Sequence, residues 1–226
     1  TRYIFTKLTK NARILFDPKD DPILKYLDDD GKQIEPEYYV PILPTVLVNG
    51  TEGIGTGFSS YIPPFNPSDI KQNIERIISG KDVIPMKPWF DKFNGRVFSN
   101  EDNLWITEGV WKCSDKNILI TELPPGRWTQ EYKEYLDTLV EKKKIASYVN
   151  NSTTENINFE IMGYTGNDVV KDFKLQKTFH VSNMHLFHPD KGIHKYTSPE
   201  EILTDFFDIR TKTYEKRKIH LINSLK

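Results

Sequence analysis

At 226 residues the chain exceeds the roughly 100–200 usual for one domain, so one large or two smaller domains are expected. Its 37% apolar and 12% aromatic content excludes a wholly disordered chain, and no apolar run approaches the roughly 20 residues of a membrane helix. Charge directly after Thr1 argues against a secretory signal, the lone Cys113 forms neither an internal disulfide nor a Cys-based zinc site, and the net charge is only −1, so a soluble intracellular protein is expected.

Residues 1–20 sum to +3 through Arg2, Lys7, Lys10, Arg13 and Lys19 against Asp17 and Asp20. Thr9 is placed to cap a short helix through Ala12, Ile14, Leu15 and Phe16, stopped at Asp17-Pro18. Leu24 to Leu27 and Lys32 to Ile34 flank the turn Asp28-Asp-Asp-Gly31, the pattern of a hairpin. A basic helix followed by a hairpin is compatible with a winged-helix arrangement. Residues 21–60 swing to −5. From Tyr38 to Val48 the chain is apolar but broken by Pro41 and Pro44, and reads as buried extended chain leading into a glycine loop.

That loop, Asn49 to Gly57, places glycine at 50, 53, 55 and 57. The spacing fits neither a Walker A loop nor a sound dinucleotide fingerprint, so no nucleotide site is expected there. Glycines let the backbone approach something closely, and Ile54 is the bulky apolar residue among them. From residue types alone, Ile54 either tucks back into the core or faces a ligand.

Asn66-Pro-Ser-Asp69 then supplies a cap, a first-turn proline and an acid, and Ile70, Ile74, Ile77 and Ile78 recur at helical spacing until Gly80. From about Phe93 the period becomes two, giving strands at Arg96–Phe98, Leu104–Ile106, Val110–Trp111 and Ile118–Ile120. Thr129 to Lys143 reads as a helix with Tyr132, Tyr135, Leu136 and Leu139 on one face. Strands resume at Ile157–Ile161 and Phe179–Asn183, so the middle of the chain reads as a β-rich domain. Ser198-Pro-Glu-Glu201 opens a long helix with no glycine or proline through Lys226, and the last twenty residues sum to +4. The basic clusters suit phosphate contacts, although solvated helix faces look the same in sequence. The chain begins without Met and stops without a C-cap signal, so a segment of a larger protein is expected.

Little chemistry is legible from residue types. His180, His185, His188, His194 and His220 lack acids or cysteines at metal-ligand spacing and read as ordinary surface histidines. No Gly-x-Ser-x-Gly elbow or Cys/His pair points to acyl transfer, and Asp28 and Asp30 lie in a turn.

Longer strings say more. Arg2-Tyr-Ile-Phe-Thr6, Ala12-Arg-Ile-Leu-Phe16, Pro18-Lys-Asp-Asp21, Glu35 to Pro44 and Val48 to Phe58 follow one another in an order that resembles the cleavage region of eukaryotic-type, type IIA DNA topoisomerases. Leu123-Pro124, Trp128-Thr-Gln130, Phe173-Lys-Leu-Gln176 and Asp205 to Arg210 extend the likeness over nearly the whole chain. Departures are the stiff turn Pro124-Pro-Gly-Arg127 and Thr51, where a smaller residue is common.

The resemblance implies an α+β fold: the end of a winged-helix domain over 1–62, a β-rich tower domain over 63–197, and the start of a coiled-coil helix over 198–226. It implies part of an ATP-dependent enzyme that breaks both strands of a duplex through a 5′-phosphotyrosyl intermediate, passes a second duplex and reseals. Tyr3 matches the nucleophile, Arg2 the transition-state stabiliser and Ile54 the wedge between base pairs. Double-stranded DNA is the implied partner, homodimerisation runs through regions beyond this segment, and Mg2+ and ATP bind outside it. The setting is the nucleus, or a cytoplasmic viral factory for a viral source. The competing expectations are a non-catalytic DNA-binding or architectural module of the same fold, or one component of a split phage-type enzyme.

Overall fold

Pro18 cannot continue a helix, so the first one ends early. The computed structural model describes residues 5–57, 59–101, 103–114 and 117–226, and its first helix, α1, spans Ala12–Leu15. The cap position is Asn11, without a side-chain bond; Thr9 contributes only its carbonyl, which accepts the Ala12 N–H at 3.1 Å. Asp17 then accepts the Lys19 N–H at 3.0 Å and opens a 3-10 helix, Pro18–Ile23. Strands β1 (Tyr26–Asp29) and β2 (Lys32–Pro36) pair antiparallel about Asp30 and Gly31, both at positive φ, the turn an Asp-Gly pair favours.

The expected extended run from Tyr38 to Val48 is corrected by a helix, α2, at Thr45–Asn49. Pro44 sets the entry, and its carbonyl accepts the N–H groups of Leu47 and Val48 at 2.9 and 3.2 Å. Leu47 is fully buried and its own carbonyl accepts the Phe65 N–H at 2.8 Å, so tertiary packing outweighs the strand preference of the two valines. Gly50, at φ +69, ends the helix where an added Cβ would stand 2.7 Å from the Ile62 carbonyl. The glycine loop becomes a hairpin: β3 (Thr51–Ile54) pairs antiparallel with β4 (Ser59–Ile62), with Ile54 opposite Ser59. Helix α3 (Pro67–Ile78) begins as its sequence dictates, with the Asn66 side chain accepting the Ser68 N–H at 2.9 Å. Its buried Asn73 exchanges two hydrogen bonds of 2.8 Å with the backbone of Ile84.

Residues up to Met86 form one unit together with Met184–Lys226, and Lys87–Asn183 form a second. This partition differs from the expected boundaries at 62 and 197. Residues 63–86 and 184–197 stay with the first unit because they are bonded into it: the Met86 N–H donates to Glu200 at 2.7 Å, and His185 is tied to β4.

The second unit holds two antiparallel sheets. β5 (Arg96–Glu101), β6 (Leu104–Glu108) and β11 (Gln176–His180) form one, in the order β11-β6-β5. The other runs β7-β8-β10-β9, from β7 (Trp111–Ser114), β8 (Asn117–Ile120), β9 (Ser147–Asn150) and β10 (Phe159–Met162). Alternation sends Phe159 and Ile161 inward opposite Ile120 and Ile118, and helix α4 (Thr129–Glu141) covers them with Tyr132, Leu136 and Leu139. The Tyr132 ring meets Phe159 edge-on at 5.3 Å while its hydroxyl donates to the Phe173 carbonyl at 2.9 Å, satisfying the one polar atom that burial would otherwise strand. A short helix, α5 (Val169–Asp172), leads into Phe173 and Leu175 of the same core.

The chain then returns to the first unit through a hairpin that was not among the expected strands, β12 (Met184–His188) with β13 (Gly192–Tyr196). Helix α6, Pro199–Ser224, follows. Its capping box is formed: the Glu201 N–H donates to Ser198 Oγ at 3.2 Å, and the Glu201 carboxylate reaches back to the Thr197 N–H at 2.7 Å. Ile202 and Leu203 are buried, Phe206 and Ile209 half-buried, and Ile219, Leu221, Ile222 and Leu225 exposed.

Candidate nucleic-acid interface

Ile54 ends β3, between Gly53 and Gly55, and is 90% exposed. The alternative of a core-directed isoleucine is therefore set aside by geometry. The hairpin carrying it is held from two sides: Phe65, just beyond β4, is bonded to α2, and β4 is bonded to β12. In the second link the His185 N–H donates to Ser60 Oγ at 3.1 Å and the His185 ring nitrogen Nδ1 lies 3.2 Å from the Ser59 carbonyl. The exposed apolar tip of this braced hairpin is free of the core and open to contact from outside the fold.

Two further apolar side chains stand beside it. Phe187 is 84% and Ile193 48% exposed, and they are cross-strand partners on β12 and β13. With Ile54, Gly53, Ser59 and His185 they line one shallow groove of about 300 Å³. Sequence reasoning missed them. The alternation from Met184 to His188, followed by the turn residues Pro189-Asp-Lys-Gly192, would have given the hairpin but not its exposed side.

The other expected site residues, Tyr3 and Arg2, lie outside the described residues. The segment that follows them is anchored by charge. Asp20 accepts from Arg210 Nη1 at 2.6 Å with both side chains almost fully buried, and from Arg217 Nη1 at 3.2 Å. Arg217 also reaches Asp17 at 2.8 Å, Arg13 pairs with Asp21, and the Tyr214 ring lies 4.0 Å from the Arg210 guanidinium and 4.7 Å from that of Arg217. Part of the basic charge expected for phosphates is thus already neutralised within the first unit. Lys7, Lys10, Lys19, Lys212, Lys216 and Lys218 remain exposed.

Three of the histidines are not the surface residues expected. His188 Nδ1 accepts the N–H groups of Asp190 and Lys191 at 3.1 and 3.2 Å, which leaves its proton on Nε2, 3.6 Å from Asp205. Tyr196 donates to the same Asp205 oxygen at 3.1 Å, and burial together with that carboxylate pushes its phenol far up. His194 lies 3.7 Å from Glu201, and His185 braces β4 as above. All three tie the β12–β13 hairpin down. Among the described residues no three His, Cys, Asp or Glu side chains converge as a metal set. No helix in them is long and apolar enough to cross a membrane.

The family model for the A-type chain of DNA gyrase/topoisomerase IV matches residues 1–226. The chain is 45% identical over 235 residues to a DNA topoisomerase 2 of Plasmodium falciparum, and 40% identical over 237 residues to that of Saccharomyces cerevisiae. Both alignments take in 99% of this chain but only 17% and 16% of those relatives, so the chain spans about a sixth of their length. A mitochondrial DNA topoisomerase 2 of Dictyostelium discoideum is 41% identical over 99% of the chain and 18% of its own. The crystal structure of the Plasmodium falciparum topoisomerase II DNA-binding, cleavage and re-ligation domain superposes with a TM-score of 0.93 at 45% identity, covering 99% of this chain and 32% of that one. With a family match from the first residue to the last, and a fold that agrees with it in both units, the chain belongs to the DNA gyrase/topoisomerase IV family, on its A-type side.

Proposed function

We propose that the chain is the tyrosine-bearing segment of a type II DNA topoisomerase, an enzyme that opens one duplex, passes another through it and reseals the break. In this reading the Tyr3 phenolic oxygen attacks the scissile phosphorus. The bond from phosphorus to the deoxyribose 3′ oxygen breaks, that oxygen leaves with a proton, and the 5′ phosphate stays on Tyr3. Phosphodiester energy is retained in the new ester, so the 3′ hydroxyl can reverse the attack without a fresh cofactor. A tyrosine hydroxyl ordinarily titrates near pH 10, and a fixed cation beside it eases loss of the proton. Arg2 supplies that cation, and its forked donors suit the extra negative charge on the pentacoordinate phosphoryl group.

Ile54 is the wedge. Its exposure on a braced hairpin between glycines is the observation that carries the reading, because no core among the described residues uses that side chain. Inserted from the minor groove, it replaces lost stacking while the duplex kinks, so deformable steps are selected rather than one sequence. The first unit then holds the winged-helix portion, the second the tower, and α6 begins a coiled-coil arm whose exposed apolar end meets a partner helix. The whole enzyme is a homodimer of the nucleus, or of a cytoplasmic viral factory, with one tyrosine for each strand. Magnesium and ATP serve it from outside this segment.

In the whole enzyme, Tyr3→Phe is expected to leave DNA binding intact and to abolish covalent protein–DNA adducts after denaturation. Adducts at normal yield would remove Tyr3 from its role. Arg2→Ala should slow cleavage by orders of magnitude with a smaller loss of affinity, since its charge matters most in the transition state.

A further inference from the structure

We propose that Phe187, backed by Ile193, is a second apolar prong that enters the minor groove of the bound duplex beside Ile54 and helps to choose where it is kinked. The inference rests on Ile54 being the wedge. It starts from an anomaly of burial. An aromatic side chain is among the costliest to leave in water, yet Phe187 is 84% exposed in the middle of a strand whose neighbours are firmly held.

The placement is rigid. Met184 and Tyr196 are buried at one end of the hairpin, and His188 and Tyr196 are tied to Asp205 from its inner side. On its outer side His185 bonds to Ser59 and Ser60, and Ser59 is the cross-strand partner of Ile54. Phe187 is two residues beyond His185 on the same face of β12, so the ring is fixed relative to the wedge through one shared strand. A protein with no ligand there would gain from replacing the ring by a polar residue.

The shared groove argues for DNA rather than a protein partner. Its opposite wall is Ile54 with Gly53 and Gly55, where the absence of side chains admits another molecule's backbone. Lys195 lies across from His185 on the same outer face, while Glu52 shares the Ile54 side of β3 by alternation. The local charge is therefore mixed, and the prong acts by apolar contact with unstacked bases and sugars, not by attracting phosphates. Side chains of this kind, Phe included, are the ones that unstack base steps from the minor groove.

The test uses the whole enzyme with Phe187→Ala, Phe187→Leu and Ile54→Ala, a short duplex labelled at both ends, and cleavage sites mapped on a long one. Phe187→Ala is expected to lower the bent population about fivefold, as loss of an apolar contact of this size would, and to redistribute cleavage sites. Its salt dependence of binding and its melting temperature should stay at the parent values. Phe187→Leu should recover much of the bend. Ile54→Ala altering bend and sites while Phe187→Ala alters neither would overturn this proposal and leave the wedge reading standing. No change from either variant would remove both. A Phe187→Ala enzyme that bends DNA normally but loses a contact between protomers or between domains in sedimentation would make the ring a protein-docking residue. A melting loss that leucine restores without changing the bend would make it structural.

Discussion

Asp20→Ala removes the acceptor at the centre of the charged cluster that ties α6 to the segment after α1. Among the described residues, the Arg210 guanidinium would then be left buried with the Val40 carbonyl, 2.9 Å away, and the Tyr214 ring at 4.0 Å. Breaking a buried pair by deleting one partner costs about 3–5 kcal/mol, because the remaining charge stays out of water. The residual carbonyl bond and the ring put the expected loss near the lower end, about 3 kcal/mol. For a protein of this size that lowers Tm by roughly 6–12 °C. Calorimetry of the 226-residue chain should show the loss in the transition of the first unit, leaving the second in place. Replacing both members with apolar residues, Asp20→Leu with Arg210→Met, should return most of the stability, since the pair's attraction mainly offsets its own desolvation. A loss under about 1 kcal/mol for Asp20→Ala would refute the argument, as would a double variant less stable than the single one.

Three other expectations are simpler. Gly50→Ala forces a side chain onto the Ile62 carbonyl and Pro64 at positive φ and should cost at least about 1–3 kcal/mol in thermal melts; Gly53→Ala meets nothing within 4 Å among the described residues and should melt like the parent, while lowering DNA affinity because the duplex can no longer come as close to the backbone there. Leu136→Ala opens a void in the fully buried core of the second unit and should cost about 2–5 kcal/mol in urea titration, leaving the first unit's transition unchanged. Tyr148 and Tyr164 are pushed up to about 12, first by burial and then by bonds to Asp137 and Asp172. Their protonated forms thus favour the fold fully below pH 10 and lose that effect between about pH 10 and 12, so alkaline melts of the second unit should steepen there and flatten in Tyr148→Phe with Tyr164→Phe.

The legible parts of the sequence were those where local chemistry and tertiary packing agree. Asn66-Pro67 and Ser198-Pro199 open helices because cap and proline suffice to set the first turn, and strands β5 to β8 follow their alternation. Helix α2 was not legible, because two valines just after Pro44 favour extension and only the burial of Leu47, whose carbonyl accepts the Phe65 N–H, reverses it. Nor was the composition of the first unit, since the Asp20–Arg210 pair joins residues 190 apart and no window of sequence reports such a contact. At the candidate interface, Ile54 stood out through its glycines, whereas Phe187 lay in a stretch read neither as strand nor as site. Its meaning lies in exposure, which depends on what the remainder of the fold fails to cover.

The interleaving of the two units also sets an order of assembly during synthesis. Residues 87–183 emerge together and can fold as soon as their last strand is out, since their core partners lie within that span. The first unit has no such freedom. Asp20 must wait until Arg210 has been made, and at about 5–20 residues per second the intervening 190 residues take roughly 10–40 s. Through that interval α3 and β4 lack α6 and β12, the later elements they pack against, and the nascent N-terminal third is the stretch most exposed to chaperones and to misassembly with a neighbouring chain.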